Sequence, residues 1–165
     1  MDKEKFNKLL FEVACCAVAC DGKIDEREVR EIEYIEKTTP YFKNIKLENE
    51  LDDFIKSFKE NSKTTINNII YQIKNNFLSQ VESMLILEIG LRLMYADTKI
   101  EKKEIDLLKE IRSVLNINDV TIVQRFGKID FLLRESTIDF KVNENTHKSI
   151  GRNTQLDIDK LNLDE

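Results

Sequence analysis

Turn-forming residues are scarce in this 165-residue chain, with four glycines and one proline. A β-sandwich or barrel needs more of them, and a dinucleotide-binding fold needs a glycine-rich loop. Tryptophan is absent and histidine occurs once, at His147. That residue lies in a polar stretch with no nucleophile–acid pair arranged around it, so it reads as a solvated surface side chain. Basic excess is missing too. Lys and Arg number 26 against 31 Asp and Glu, a net charge of −5. Nucleic-acid binders need a basic face to displace counterions from phosphates, so none is expected here. No uncharged apolar run reaches the roughly 18–20 residues of a membrane span. The most apolar stretch, Met84 to Ala96, is interrupted by Glu88 and Arg92. The opening Met-Asp-Lys-Glu-Lys mixes acids with bases and makes a poor secretory signal, which points to a cytoplasmic location.

Cysteine is limited to Cys15, Cys16 and Cys20, all in one apolar segment. An odd number in a cytosolic setting argues against a disulfide framework. Cys16 and Cys20 are four residues apart, but no fourth soft ligand or nearby His completes a zinc site. The thiols are therefore expected to pack as small apolar groups.

What the chain does have is apolar residues at helical spacing. Leu, Ile, Val and Phe make up 54 residues, a third of the chain, enough to bury a core. Phe6, Leu10, Val13, Ala17 and Cys20 trace one stripe of a helix over about 3–20, and Gly22 supplies a stop. Val29, Ile32 and Ile35 mark a second helix over about 26–38, with Asp25 and Glu28 in a capping-box pattern at its start. Leu47, Leu51, Phe54 and Phe58 mark a third helix. Ile66, Ile69, Ile70, Ile73 and Phe77 mark a fourth. Ser79 and Glu82 cap a fifth that runs to about Tyr95, is apolar nearly all round and should lie at the centre. The sixth covers about 101–115. The seventh starts after Asn118 and reaches Leu132 or Leu133, with Gly127 as a kink. Beyond Ser136 the alternation of Ile138, Phe140 and Val142 changes to strand spacing. The expected organisation is an all-α bundle of about seven helices over 1–135, then a C-terminal extended tail or small β-hairpin over 136–165.

One segment occurs twice. Ala19-Cys20-Asp21-Gly22-Lys23-Ile24-Asp25-Glu26-Arg27-Glu28-Val29 is matched, 76 residues later, by Tyr95-Ala96-Asp97-Thr98-Lys99-Ile100-Glu101-Lys102-Lys103-Glu104-Ile105. Leu10, Val13 and Val18 pair with Ile86, Ile89 and Met94 at the same offset. A duplicated helical hairpin is the expectation, the two copies packed about a pseudo-twofold axis. Such packing would gather Asp21, Glu28, Asp97 and Glu104, and hard divalent cations favour clustered carboxylates. The same acids also suit structural work. Glu28 and Glu104 would cap their helices, Asp21 would hold its turn through backbone amides, and Lys23 and Lys99 would offset the charge. Ile24 and Ile100 would then plug the turns into the core. An EF-hand is excluded, because its first and third ligand positions fall on Ala17 and Ala19 and on Leu93 and Tyr95.

At these residues the chain resembles the TerB family of tellurite-resistance-associated proteins. It is similar also to the domain that begins some membrane-tethered J-domain co-chaperones. The shared pattern is an apolar helix rich in small residues, here Ala17-Val18-Ala19-Cys20, then Asp21-Gly22-Lys23-Ile24, the capping acid Asp25, and Glu28. The second copy keeps Asp97, Ile100 and Glu104 but has Thr98 in place of Gly22. The resemblance spans about 5–135. It implies a non-enzymatic binding or scaffold module of a bacterial stress-response assembly, with a protein partner and, in some relatives, association with the membrane periphery. It also implies a divalent metal held by surface acids, which by position are Asp21, Glu28, Asp97 and Glu104. The alternative is a metal-independent protein–protein adaptor that uses its acidic surface or its C-terminal tail. A metal-dependent hydrolase built on the same carboxylates lacks a convergent nucleophile, His or phosphate loop.

Overall fold

The computed structural model describes residues 1–42, 45–96 and 99–134. These are all-α: α1 (Lys3–Ala19), α2 (Glu26–Thr38), α3 (Leu47–Asn75), α4 (Gln80–Met94), α5 (Lys102–Val114) and α6 (Asp119–Phe126), then a 3-10 turn at Asp130–Leu132. No strand occurs among the described residues. The tail or hairpin expected over 136–165, and His147 within it, lie outside them, as do Asp97 and Thr98.

The core is built on α1 and α4. Phe6, Leu10, Val13 and Ala17 of the predicted stripe are buried, Cys20 caps the helix end half-buried, and Leu9, Phe11, Ala14, Cys15, Cys16, Val18 and Ala19 are buried too. The cause is that α1 packs against both α4 and α3, so its second half has almost no solvent face. Helix α4 is buried from Ser83 to Leu91 and again at Leu93 and Met94, and packs on α1, α2 and α5. At Gly90 an added Cβ would lie 2.4 Å from Leu108 Cδ2, so α5 approaches α4 closely there. The three thiols are free; Cys15 and Cys16 are buried in this core and Cys20 packs half-buried against it. Burial pushes the Cys16 thiol up to about 12, which keeps it protonated and unreactive.

Helix ends follow local chemistry. Asp25 and Glu28 form the expected capping box of α2, as Ser79 and Glu82 do for α4. Asn118 caps α6 by accepting from Thr121 N at 2.7 Å. Three expectations change. The third and fourth helices are joined as α3, which is broken at Asn61 (φ −153°, ψ 72°). There the Asn61 side chain accepts from Thr64 N at 3.1 Å and so caps the second arm. Phe77 does not continue the apolar stripe, because α3 stops at Asn75 and Phe77 is 91% exposed. Gly127 ends α6 rather than kinking a longer helix. Its φ of +78° is left-handed, and its N–H closes the last turn onto Val123 O at 2.9 Å.

The segment after α5 is held by a buried guanidinium. Arg112, 3% exposed, donates to the carbonyls of Leu115, Ile117 and Leu132 and to Asp119 Oδ1. Asp119 Oδ2 accepts in turn from Arg134 N at 2.8 Å. The Arg134 side chain covers the α5 carbonyls of Arg112 and Ser113 and that of Leu115. These are helix-end acceptors that a cation stabilises. Removing Arg112 strips the Leu132 and Ile117 carbonyls and Asp119 Oδ1 of this donor in a buried setting. Arg112→Ala is therefore expected to cost about 3–5 kcal/mol in urea unfolding, and a loss below about 1 kcal/mol would show that the cluster is dispensable.

Candidate functional site

The repeated segments form the first bend, between α1 and α2, and the second, between α4 and α5. In the first bend α1 closes with Gly22 N donating to Ala19 O at 3.0 Å, and Gly22 takes φ +87°. Asp21 Oδ1 accepts from Lys23 N at 2.7 Å, an Asx turn of the kind its side chain favours. Asp25 Oδ1 accepts from Arg27 N at 2.8 Å, and the Arg27 guanidinium grips both carboxylate oxygens, at 2.8 and 2.9 Å. Glu28 Oε2 accepts from Asp25 N at 3.0 Å. In the second bend Glu104 Oε2 accepts from Glu101 N at 2.5 Å. Glu28 and Glu104 are both buried, at 5% and 6% exposure. A carboxylate so buried needs donors, and each finds one in the amide that starts its own helix.

The two bends lie side by side. Lys103 Nζ, from the first turn of α5, donates to Asp21 O at 3.4 Å. Cys20 stands between them. Its thiol is pushed well up, first by burial, then by Cys16, and then by the charges of Glu104, Asp21 and Glu28, so carboxylates of both bends are felt at one sulfur.

Of the four expected ligands, Asp21, Glu28 and Glu104 belong to this corner. Asp97 lies outside the described residues. Among the described residues no three His, Cys, Asp or Glu side chains come together as a group that could hold a metal ion. The described acids serve helix starts and a turn. Lys23 contributes its backbone amide to Asp21, and the Lys99 ammonium meets Glu101 at 2.7 Å. Ile24 and Ile100 are not plugs, since they are 41% and 39% exposed. The left-handed turn at Gly22 carries Ile24 to the lip of a cleft of about 190 Å³, shared with Phe58, Lys59, Ser62 and Lys103.

A second polar cluster on α4 was missed. Arg92 pairs with Glu31 of α2 at 2.5 Å, with both side chains less than 15% exposed, and lies over the Tyr34 ring. Glu88 pairs with Arg125 of α6 at 2.7 Å. Burial raises the Glu88 carboxyl, and the Arg125 hydrogen bond opposes the rise. The signal was present in the sequence. Two opposite charges four apart in an apolar helix lie on one face, and inside a core both need partners.

A TerB family model, described as tellurite resistance protein TerB, matches residues 8–125. This chain belongs to the TerB family. No curated protein and no solved structure matches it. The matched TerB region takes in both bends and all of α2 to α5. No helix among the described residues is long and apolar enough to cross a membrane.

The bend has a pH signature. The Arg27 side-chain hydrogen bond, followed by the Arg27 amide, holds the Asp25 carboxyl well below its usual 3.8. A lowered carboxylate stabilises the fold above the unfolded value, and that contribution is lost as pH falls below it. The melting temperature is thus expected to drop as pH is lowered through about 4 and below. Asp25→Asn, which keeps a capping oxygen, should flatten that part of the profile. An unchanged profile in Asp25→Asn would assign the acid sensitivity elsewhere.

Proposed function

We propose that this TerB-family chain is a non-enzymatic binding module of a stress-response assembly, an adaptor that presents a fixed surface to a protein partner. The observation that carries this reading is the commitment of Glu28 and Glu104. Each gives an oxygen to the amide that begins its helix, so the repeated acids have a structural use that calls for neither catalysis nor metal. These anchors and the Arg112 cluster tie the helix ends to their neighbours, which would hold exposed groups in place for a partner. The family description supplies the link to tellurite resistance.

A second reading is favoured by the adjacency of the bends. Lys103 reaches Asp21, so the two acidic turns share a corner, and Asp97 belongs to the second turn by sequence. In this reading Asp21, Glu28, Asp97 and Glu104 would hold a divalent cation, which would supply charge neutralisation at the corner.

One experiment separates the two. The full chain is cross-linked in its native cell to recover its partner, and the purified protein is melted with Ca²⁺, Mn²⁺ or Zn²⁺. The adaptor reading predicts a defined protein partner and melting that no ion changes. A rise of several degrees, as selective binding to the native state produces, abolished by Asp21→Asn with Asp97→Asn, would replace it with the metal-loaded form. A chain recovered without any partner would contradict the binding-module reading itself.

A further inference from the structure

A groove of about 730 Å³ runs between α1 and the first arm of α3. Its apolar lining comes from Phe11, Ile45 and Phe54. Phe11 is buried and braced edge-on by Phe42 at 5.5 Å, while Phe54 stacks on Phe58 at 6.1 Å. Among the described residues, four carboxylates, Glu4, Glu12, Glu50 and Asp53, stand around this lining against two lysines, Lys3 and Lys8. The groove is therefore an apolar trough with an acidic rim, and it is of the size that takes several side chains.

The molecule itself shows what such a surface accepts. Residues 76 positions after Glu4 and Glu12 are Gln80 and Glu88, on α4. Helix α6 reaches that stretch of α4 through two side chains. Gln80 Nε2 donates to Thr121 Oγ1 at 3.3 Å, and Arg125 Nη2 donates to Glu88 Oε2 at 2.7 Å. Thr121 and Arg125 are four apart, on one face of a short amphipathic helix that also buries Ile122 and Phe126. On α1 the corresponding Glu12 accepts only a neutral donor among the hydrogen bonds described, Gln72 Nε2 at 2.9 Å, and the groove beside it is open among the described residues.

We infer that the groove between α1 and α3 is the partner site, and that it takes an amphipathic helical segment of another protein whose apolar face is flanked by Lys or Arg. The apolar residues of that segment would pack on Ile45 and Phe54 above the buried Phe11, and its cations would meet Glu4, Glu12, Glu50 and Asp53. Helix-in-groove docking of this kind uses anchors one turn apart, and charge complementarity sets its specificity and encounter rate. This inference rests on the binding-module reading and names the surface and chemistry of its partner.

The test uses the full chain and a fluorescent synthetic peptide of about four helical turns, with Leu on one face and Lys on the other. A peptide with the same Leu face and Glu in place of Lys is the control. Saturable binding of the Lys peptide alone is expected, weakened about tenfold or more by Glu12→Lys with Asp53→Lys. Glu33→Lys with Glu36→Lys, on exposed α2, should leave it unchanged. Phe54→Ser gives an uncharged second variant, and circular dichroism checks that each variant is folded. Equal binding of both peptides, equal loss in the α2 variant, or no saturable binding would overturn the inference. So would self-association of the chain that the groove substitutions abolish, or peptide binding that appears only when residues 136–165 are removed, since either would give the groove another occupant. A partner recovered by cross-linking that does not contact α1 or α3 would overturn the groove and leave the binding module standing.

Discussion

A buried carboxylate bonded to the first amide of its own helix is the interaction on which the rest of this fold depends. Glu28 does this for α2 and Glu104 for α5. Helix starts leave backbone donors without intrahelical acceptors, and a negative charge is favoured there by the aligned peptide dipoles. Fixing both starts fixes the angle at which α2 leaves α1 and α5 leaves α4. The long buried helices α1 and α4 can then pack on each other, with α3 laid against α1 and α5. The contact from Lys103 to Asp21 O joins the two starts at one corner.

The charges inside the bundle serve the same economy of satisfied groups. Glu88 and Arg92 stand in a helix that is otherwise apolar, and each finds an opposite charge on a neighbouring element, Arg125 on α6 and Glu31 on α2. Arg112 gathers the carbonyls that follow α5. Pairs of this kind add little net stability when weighed against apolar replacements, yet breaking one is costly. They specify which elements meet. Thus α6 is set on α4 by Arg125, while the related surface of α1 keeps an open, acid-rimmed groove.

Much of this was legible in the chain because helix caps and stripes are local. The pairs Asp25 with Glu28 and Ser79 with Glu82, together with Asn118, announced three helix starts from neighbouring residues alone. The match at an offset of 76 singled out the two bends, and the resemblance to TerB agreed with the family match over 8–125. What escaped was set by tertiary packing or by backbone freedom. The stripes from Leu47 to Phe58 and from Ile66 to Phe77 read as two helices, although the Asn61 side chain caps the second arm of one broken element. Gly127 lay among apolar residues at helical spacing, and only its left-handed φ shows that it ends the helix. Ile24 and Ile100 were expected to plug the two turns into the core, but both stand at the surface. Glu88 and Arg92 were noticed as interruptions of an apolar run. Their partners are 37 and 61 residues away, beyond any local rule.

The role of the paired acids is open to a direct measurement. Glutamine accepts the same backbone hydrogen bond as glutamate at the third position of a capping box but carries no charge. Urea unfolding of Glu28→Gln with Glu104→Gln, beside Glu28→Ala with Glu104→Ala, separates capping from charge. If the carboxylates act as caps, the glutamine pair retains most of the stability, while the alanine pair loses about 0.5–2 kcal/mol for each cap removed. If the glutamine pair falls as far as the alanine pair, the charge itself is what the corner requires, and capping is not what holds the two bends.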